Sequence, residues 1–235
     1  MGARAERAGM AGGGQIIAKS LREQVYDHLR AELRRGNLET GAFLDLNRLA
    51  EDLGVSRTPL RDALIQMEVE EFVTITPRRG VAVRRLDPKD IREIYQLIGA
   101  LEGAALLAAA PSVTAADLER LRKLDRRARQ ALDAGDREAF HEHNLAFHDF
   151  FLDRLGNERI KALVHTKKQQ LYDWNRRLQK LHVGWEDSGL REHEEVLRLL
   201  ESGAFQEAAA CLRDVHWGFQ VQEAFVNQAY FQEGE

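Results

Sequence analysis

Ser56-Arg57-Thr58-Pro59-Leu60-Arg61 puts two guanidinium groups and two hydroxyls on the opening turns of one helix. Residues four apart share a helix face, so Arg57 and Arg61 point the same way. A helix N-terminus offers N–H groups and positive potential, and arginine forks fit guanine edges and phosphates. The chemistry this predicts is the reading of a DNA groove. Pro77-Arg78-Arg79-Gly80 is a second basic cluster, whose arginines would lie along a groove or on phosphates. A third set could hold a metal. Asn144 and His148 are four apart, and His193 lies further along the chain. Imidazoles with an amide oxygen form a borderline donor set suited to Zn, Ni, Mn or Fe. The first and third sets also have ordinary explanations. A helical hairpin with surface arginines fits the first, and eight histidines scattered as polar surface or core residues fit the third.

These residues need elements that position them. Leu49, Ala50 and Leu53 form one apolar face, and Gly54 permits the left-handed turn that ends their helix. Ser56 is placed as the N-cap of the next helix, its hydroxyl accepting from an orphan N–H, and Pro59 falls harmlessly in the first turn. Upstream, Leu21, Val25, Leu29 and Leu33 make a helical stripe. Downstream, residues 72–85 hold two β-rich runs around the Pro-Arg-Arg-Gly tip, with Gly80 at the turn. A helix-turn-helix followed by a basic two-stranded ribbon is a winged helix. Asp87-Pro88 then starts a helix. Beyond it the pattern is purely helical, with breaks at Pro111, Gly156-Asn157 and Gly203. The stripe on the second helix of this half is Leu118, Leu121, Leu124 and Ala128. The later helices are expected over about 136–155, 158–180 and 188–203, and from 204 towards the C-terminus as a single helix. The fold class is therefore mainly α, a winged helix-turn-helix followed by an all-helical antiparallel bundle. The expected divisions are a disordered tail at 1–15, a DNA-binding domain at 16–85 and a helical domain at 86–235.

Two resemblances sharpen this. Val25-Tyr26-x-x-Leu29-Arg30, Gly36-x-Leu38-x-x-Gly41-x-x-Leu44, the run from Leu49 to Leu64, and Pro77-x-x-Gly80-x-x-Val83 resemble the N-terminal domain of GntR-type bacterial transcription regulators. That family usually has Gly where this chain has Glu71. A non-glycine there is strained if the position needs positive φ. Leu101-Glu102-Gly103-Ala104-Ala105, then Asn144-Leu145-x-Phe147-His148 leading to Gly156-Asn157, then Glu192-His193-x-x-Val196-Leu197-x-x-Leu200-x-x-Gly203 resemble the FCD effector domain of the FadR subgroup. The resemblance implies a helical bundle that senses a small molecule, with a divalent metal held by one Asp or Asn and three His. Its last ligand would fall at Val215, but this chain has His216, one place on. One residue is about 100° of helix rotation. A π-bulge would bring the ring back; a regular helix would leave it off the metal. The family's effector-gripping Arg four residues before Glu102 is here Ile98.

Composition fits the same picture. Residues 1–85 carry 14 Lys and Arg against 12 Asp and Glu, and the rest of the chain 20 against 26, so the mild excess of positive charge lies with the DNA-reading half. The single cysteine, Cys211, excludes an internal disulfide, suits the cytoplasm and is expected as a small buried residue. No apolar run reaches the roughly twenty residues of a membrane span, so no membrane partner is expected. No HExxH, phosphate loop or Ser-His-Asp ordering suggests an enzyme. The reading is a metabolite-responsive repressor that binds a pseudo-palindromic double-stranded operator as a homodimer, with bases or phosphates met by Ser56, Arg57, Thr58, Arg61, Arg78, Arg79 and Gly80. Asn144, His148, His193 and His216 are the candidate metal ligands. Coupling between sensor and DNA is expected through the 85–88 junction. The alternatives are a metal-sensing regulator or a metal-dependent enzyme built on the bundle.

Overall fold

The computed structural model describes residues 19–174 and 183–230. The tail expected at 1–15 and the end of the helix expected to reach residue 180 lie outside them.

Helix α1 (Leu21–Arg35) opens with a reciprocal capping box. Ser20 Oγ accepts from the Glu23 N–H, and the Glu23 carboxylate accepts from the Ser20 N–H. Helices α2 (Leu46–Asp52) and α3 (Arg57–Val69) form the hairpin, turning at Gly54 with φ +62°. Strands β1 (Val73–Thr76) and β2 (Gly80–Val83) pair antiparallel, Val73 opposite Val83 and Thr76 opposite Gly80. Leu29, Leu60, Ala63, Leu64, Met67 and Phe72 fill the core beneath them.

Leu86 already belongs to a second core. Helix α4 (Pro88–Ala109) starts with Pro88 in its first turn and a capping box between Asp87 and Asp90. It is buried on most sides, and Ile91, Ile98 and Leu106 are fully buried. Burying each such side chain contributes about 1.5–3 kcal/mol. Against it pack α6 (Arg137–Leu155), α7 (Glu158–Trp174), α9 (Phe205–Ala210) and α10 (Phe219–Tyr230), while α5 (Ala115–Asp133) packs on α6 and on α8 (Val183–Glu201), which also meets α9. Among the described residues, α4 and the turn after it are long and apolar enough to cross a membrane, contrary to the sequence reading. Its apolar residues are instead the centre of the bundle.

The chain after Gly203 departs from the expected single helix. It is α9, then a π-helical turn at Cys211–His216, then a break at Gly218 and α10. The Trp217 N–H reaches back five residues to the Leu212 carbonyl at 3.1 Å, a π-type bond. Helix α8 also begins earlier than expected, at Val183. Two glycines let α4 approach this turn. A Cβ on Gly99 would meet the Arg213 carbonyl and Trp217 Cβ at 2.9 Å, and one on Gly103 would meet Arg213 Cβ at 3.1 Å. Cys211 is half-buried rather than fully buried, its thiol pushed up to about 11 by burial and by Glu195 and Glu192.

Candidate DNA-reading surface and sensory site

On the winged helix, Ser56, Arg57, Thr58 and Arg61 are all exposed on the opening turns of α3. Arg57 donates to Asn47 Oδ1 at 2.6 Å, which steers the guanidinium from α2. Ser56 holds the N-cap position, but its hydroxyl makes no capping bond, contrary to expectation. The side chain is exposed, so no side-chain oxygen caps the first N–H groups of α3. Arg78 and Arg79 are exposed at the wing tip. Gly80, expected at the tip, is the first residue of β2 with φ +113°, and Arg78 takes the left-handed turn position at φ +63°.

In the bundle, three helical segments converge on one point. His148 (α6), His193 (α8) and His216 (π-turn) each offer a ring nitrogen within 4.8 Å of the others. His148 and His193 are buried and His216 is half-buried. The π-turn is what aims His216. Its extra residue offsets the one-residue displacement in sequence. Behind each imidazole stands a carboxylate facing Nδ1: Glu102 at 2.8 Å from His148, Asp125 at 2.9 Å from His193 and Glu192 at 2.8 Å from His216. A carboxylate against Nδ1 favours the proton there and turns the Nε2 lone pair outward. His148 Nε2 and His193 Nε2 lie 3.3 Å apart. Two lone pairs at that distance repel unless a proton or cation lies between them. Two nitrogens on one tetrahedral zinc, each about 2.0–2.1 Å from it, stand roughly 3.3–3.4 Å apart. The donor set therefore fits a divalent cation.

Electrostatics follow from burial. Desolvation, with nearby positive charge, holds His148 and His193 well below the usual imidazole range, which favours neutral rings. Burial also pushes Asp125 up to about 7, against the pull of His216 and Arg129. Glu102 goes the other way. Burial opposes its charge, but His148 and Lys168 outweigh it and hold the carboxyl well below its ordinary value. Lys168 carries that effect, because His148 is itself driven neutral. Its Nζ sits 2.6 Å from Glu102 Oε1, 1% exposed, and Trp217 Nε1 donates to Glu102 Oε2 at 2.7 Å.

A cavity of about 110 Å³ opens beside His216 and Glu192. Asn144 lines it one turn before His148 and is hydrogen-bonded to Tyr172. Aromatic walls come from Tyr95, Phe140, Tyr172, Trp185 and Trp217. His141, pushed down to about 4 by burial and by Arg137, accepts from Arg137 Nε at 3.3 Å, so its proton sits on Nδ1. That Nδ1 and Gln222 Oε1 are buried without a hydrogen-bond partner among the described residues. Ile98 is buried in the core and is not among the lining residues, so the family's arginine clamp has no counterpart there.

Sequence reasoning misses Asp125, Lys168 and the backing roles of Glu102 and Glu192. Asp125 and Lys168 each interrupt an apolar helical stripe, and that was the available signal.

A winged helix with an arginine-bearing recognition helix, fused to a helical bundle around a cavity with aromatic walls and a few polar groups, defines a DNA-binding transcriptional regulator with an effector domain. Comparison with known proteins agrees. Residues 21–83 match the model of the gntR family of bacterial regulatory proteins, and residues 93–216 match the FCD domain. The chain belongs to the GntR family, in the FadR-like subgroup that carries the FCD domain. It is 31% identical over 194 residues to the HTH-type transcriptional regulator McbR of Escherichia coli, covering 81% of this chain and 85% of that one. The solved structure of E. coli McbR/YncC shares the fold, with a TM-score of 0.69 at 24% identity over 91% of this chain and all of that one. So does a GntR regulator from Rhodococcus sp. RHA1, with a TM-score of 0.67 at 22% identity over 89% of this chain and 98% of that one.

Proposed function

We propose that this regulator is a cytoplasmic homodimeric repressor, without catalytic activity, that binds a pseudo-palindromic operator and changes its DNA affinity when a small metabolite enters the cavity beside the three histidines. One recognition helix reads few base pairs, so paired half-sites raise both affinity and specificity. Arg57 and Arg61 would meet base edges or adjacent phosphates, Ser56 and Thr58 phosphates, and Arg78, Arg79 and the Gly80 backbone the neighbouring groove.

The residues that would hold a divalent cation are His148, His193 and His216 through Nε2, with Asn144 as the candidate fourth. The observation that carries this is the carboxylate behind every imidazole. When bound, the ion would supply a positive centre that attracts an effector oxygen. The chain's own residues do the rest. His141 Nδ1–H can donate to the effector and Gln222 Oε1 can accept from it. The aromatic walls exclude water from its apolar part.

One observation favours a second reading, in which the ion itself is the signal. Glu102, Glu192 and the partly ionised Asp125 outweigh the single ammonium of Lys168, leaving a net negative charge around the histidines that a cation would offset. Elemental analysis after mild purification, on the wild type and on His193→Ala, tests the cation site. The expected result is a divalent metal in the first and little in the second. No metal in either, with no thermal shift on adding Zn, Ni or Mn, removes the cation and leaves the effector cavity. A thermal shift with cation alone that also alters operator binding selects the second reading.

A further inference from the structure

We infer that Glu71 is a positioning residue, an interdomain clamp that fixes the recognition helix against the effector domain and links it through α7 to the histidine cluster. Glu71 sits two residues beyond the end of α3, at φ +59°. Residues with a Cβ are disfavoured there, and glycine is the usual occupant of such a turn. The chain keeps a glutamate, and its carboxylate is engaged from three directions. Lys167 of α7 binds it, Gln170 Nε2 lies 3.3 Å from it, and Arg84, at the end of the wing, lies 3.3 Å away. Arg84 also pairs with Asp90 in the first turn of α4 at 2.6 Å. Glu71 thus gathers the end of the recognition helix, the wing, the interdomain junction and α7. An isolated half-exposed ion pair contributes little, but several partners on one carboxylate form a network.

The same stretch of α7 reaches the sensory site. Lys167 and Gln170 face the winged helix, Gln170 also donating to the Glu70 carbonyl at 2.6 Å. Lys168, next in sequence to Lys167, is the buried cation on Glu102, which backs His148. Leu171 and Tyr172 line the cavity. A shift of α7 that alters the Lys168–Glu102–His148 chain must also move Lys167 against Glu71. This gives the coupling a second route beside the 85–88 junction. Only this linkage to the histidines rests on the proposed cation site; the clamp does not.

Hydrogen–deuterium exchange on the full-length protein tests the clamp without DNA or metal. Glu71→Gly relieves the left-handed strain, so its melting temperature should hold or rise. Exchange at residues 69–72 should nevertheless quicken about tenfold. Lys167→Met should quicken it in the same direction from the other side, and the double variant should be no looser than Glu71→Gly alone, because the Lys167 contact is already gone there. Unchanged exchange in both single variants, or effects that simply multiply, overturns the clamp. A second arm adds ZnCl₂. In the wild type, zinc should slow exchange at 144–148, 192–196 and 69–72; in Glu71→Gly only the last effect should vanish. Equal slowing at 69–72 in both proteins overturns the linkage through Glu71. Zinc without effect anywhere in the wild type counts against the cation site and the linkage, while the first arm still decides the clamp.

Discussion

The π-helical turn at Cys211–His216 makes a demanding prediction, because its extra residue is what turns His216 toward His148 and His193. Exchanging the two neighbours, Val215→His with His216→Val, keeps composition and length but rotates the imidazole by about 100°. Val215 is 38% exposed, so the relocated ring faces outward. Two losses follow. Glu192 Oε2 loses the imidazole 2.8 Å away while Ser188 and Gln222 still hold Oε1, and a lost hydrogen bond to a charged group costs about 1.5–3 kcal/mol. The proposed cation site also loses one of its three imidazoles. At a zinc concentration near 100 times the wild-type Kd, linkage supplies about 2.7 kcal/mol. If affinity falls a hundredfold, only about 0.4 kcal/mol remains at that concentration. With a Tm response of about 2–4 °C per kcal/mol for a protein of this size, the zinc-induced rise should shrink from about 5–11 °C to about 1–2 °C. Deleting Val215 is the complementary change. It removes the residue that makes the turn π-helical, so an ordinary α-helix should carry the histidine in the same direction. Differential scanning calorimetry with and without zinc separates the outcomes. The swapped protein keeping the full zinc shift, or the deletion abolishing it, would refute the claim that the π-turn sets the ring's direction.

Three further outcomes are expected. Arg57→Ala and Arg61→Ala should each cost about 1–3 kcal/mol of specific binding to a duplex selected from a random library, and Asn47→Ala less, because Asn47 only steers Arg57; fluorescence anisotropy measures all three, and unchanged affinity for Arg57→Ala would contradict the recognition-helix assignment. Gly99→Ala should destabilise despite gaining about 1 kcal/mol of helix propensity, because its Cβ meets backbone and a Cβ at 2.9 Å and overpacking costs about 1–3 kcal/mol; Gly103→Ala, opposed by a side-chain carbon at 3.1 Å, should be milder, and urea melts that reverse the order would show that this contact is not what sets the spacing. Lys168→Met should destabilise by about 3–5 kcal/mol, since it strands the buried Glu102 carboxylate; Glu102→Gln in the same chain should recover part of that, and a failure to do so would mean the lysine contributes by packing alone.

The DNA-reading half was more legible than the sensory half for a physical reason. In a helix-turn-helix the functional groups are local. Arg57 and Arg61 face outward together because four residues make about one helical turn, and Gly54 ends α2 because its φ is +62°. No distant residue has to be known. The sensory site is assembled from α4, α5, α6, α7, α8 and the π-turn, so its logic is non-local. Reading α5 by its leucines set the stripe on Leu124, yet the buried position is Asp125, in line with Leu118, Leu121, Ala128 and Leu132. On α7, Lys168 likewise falls in line with Val164 and Leu171. A charged side chain within an apolar stripe normally argues that the stripe is misread, because burying a lone charge is costly. Here each has a partner on another helix: Asp125 has His193 on α8, and Lys168 has Glu102 on α4. The sequence displays the anomaly but hides the partner, so an interrupted stripe and an unplaced histidine are two halves of one observation. The one-residue offset of His216 has the same character. It looks like a defect while the helix is assumed regular, and it becomes an aiming device once α4, through Gly99 and Gly103, lets a wider π-turn pack against it.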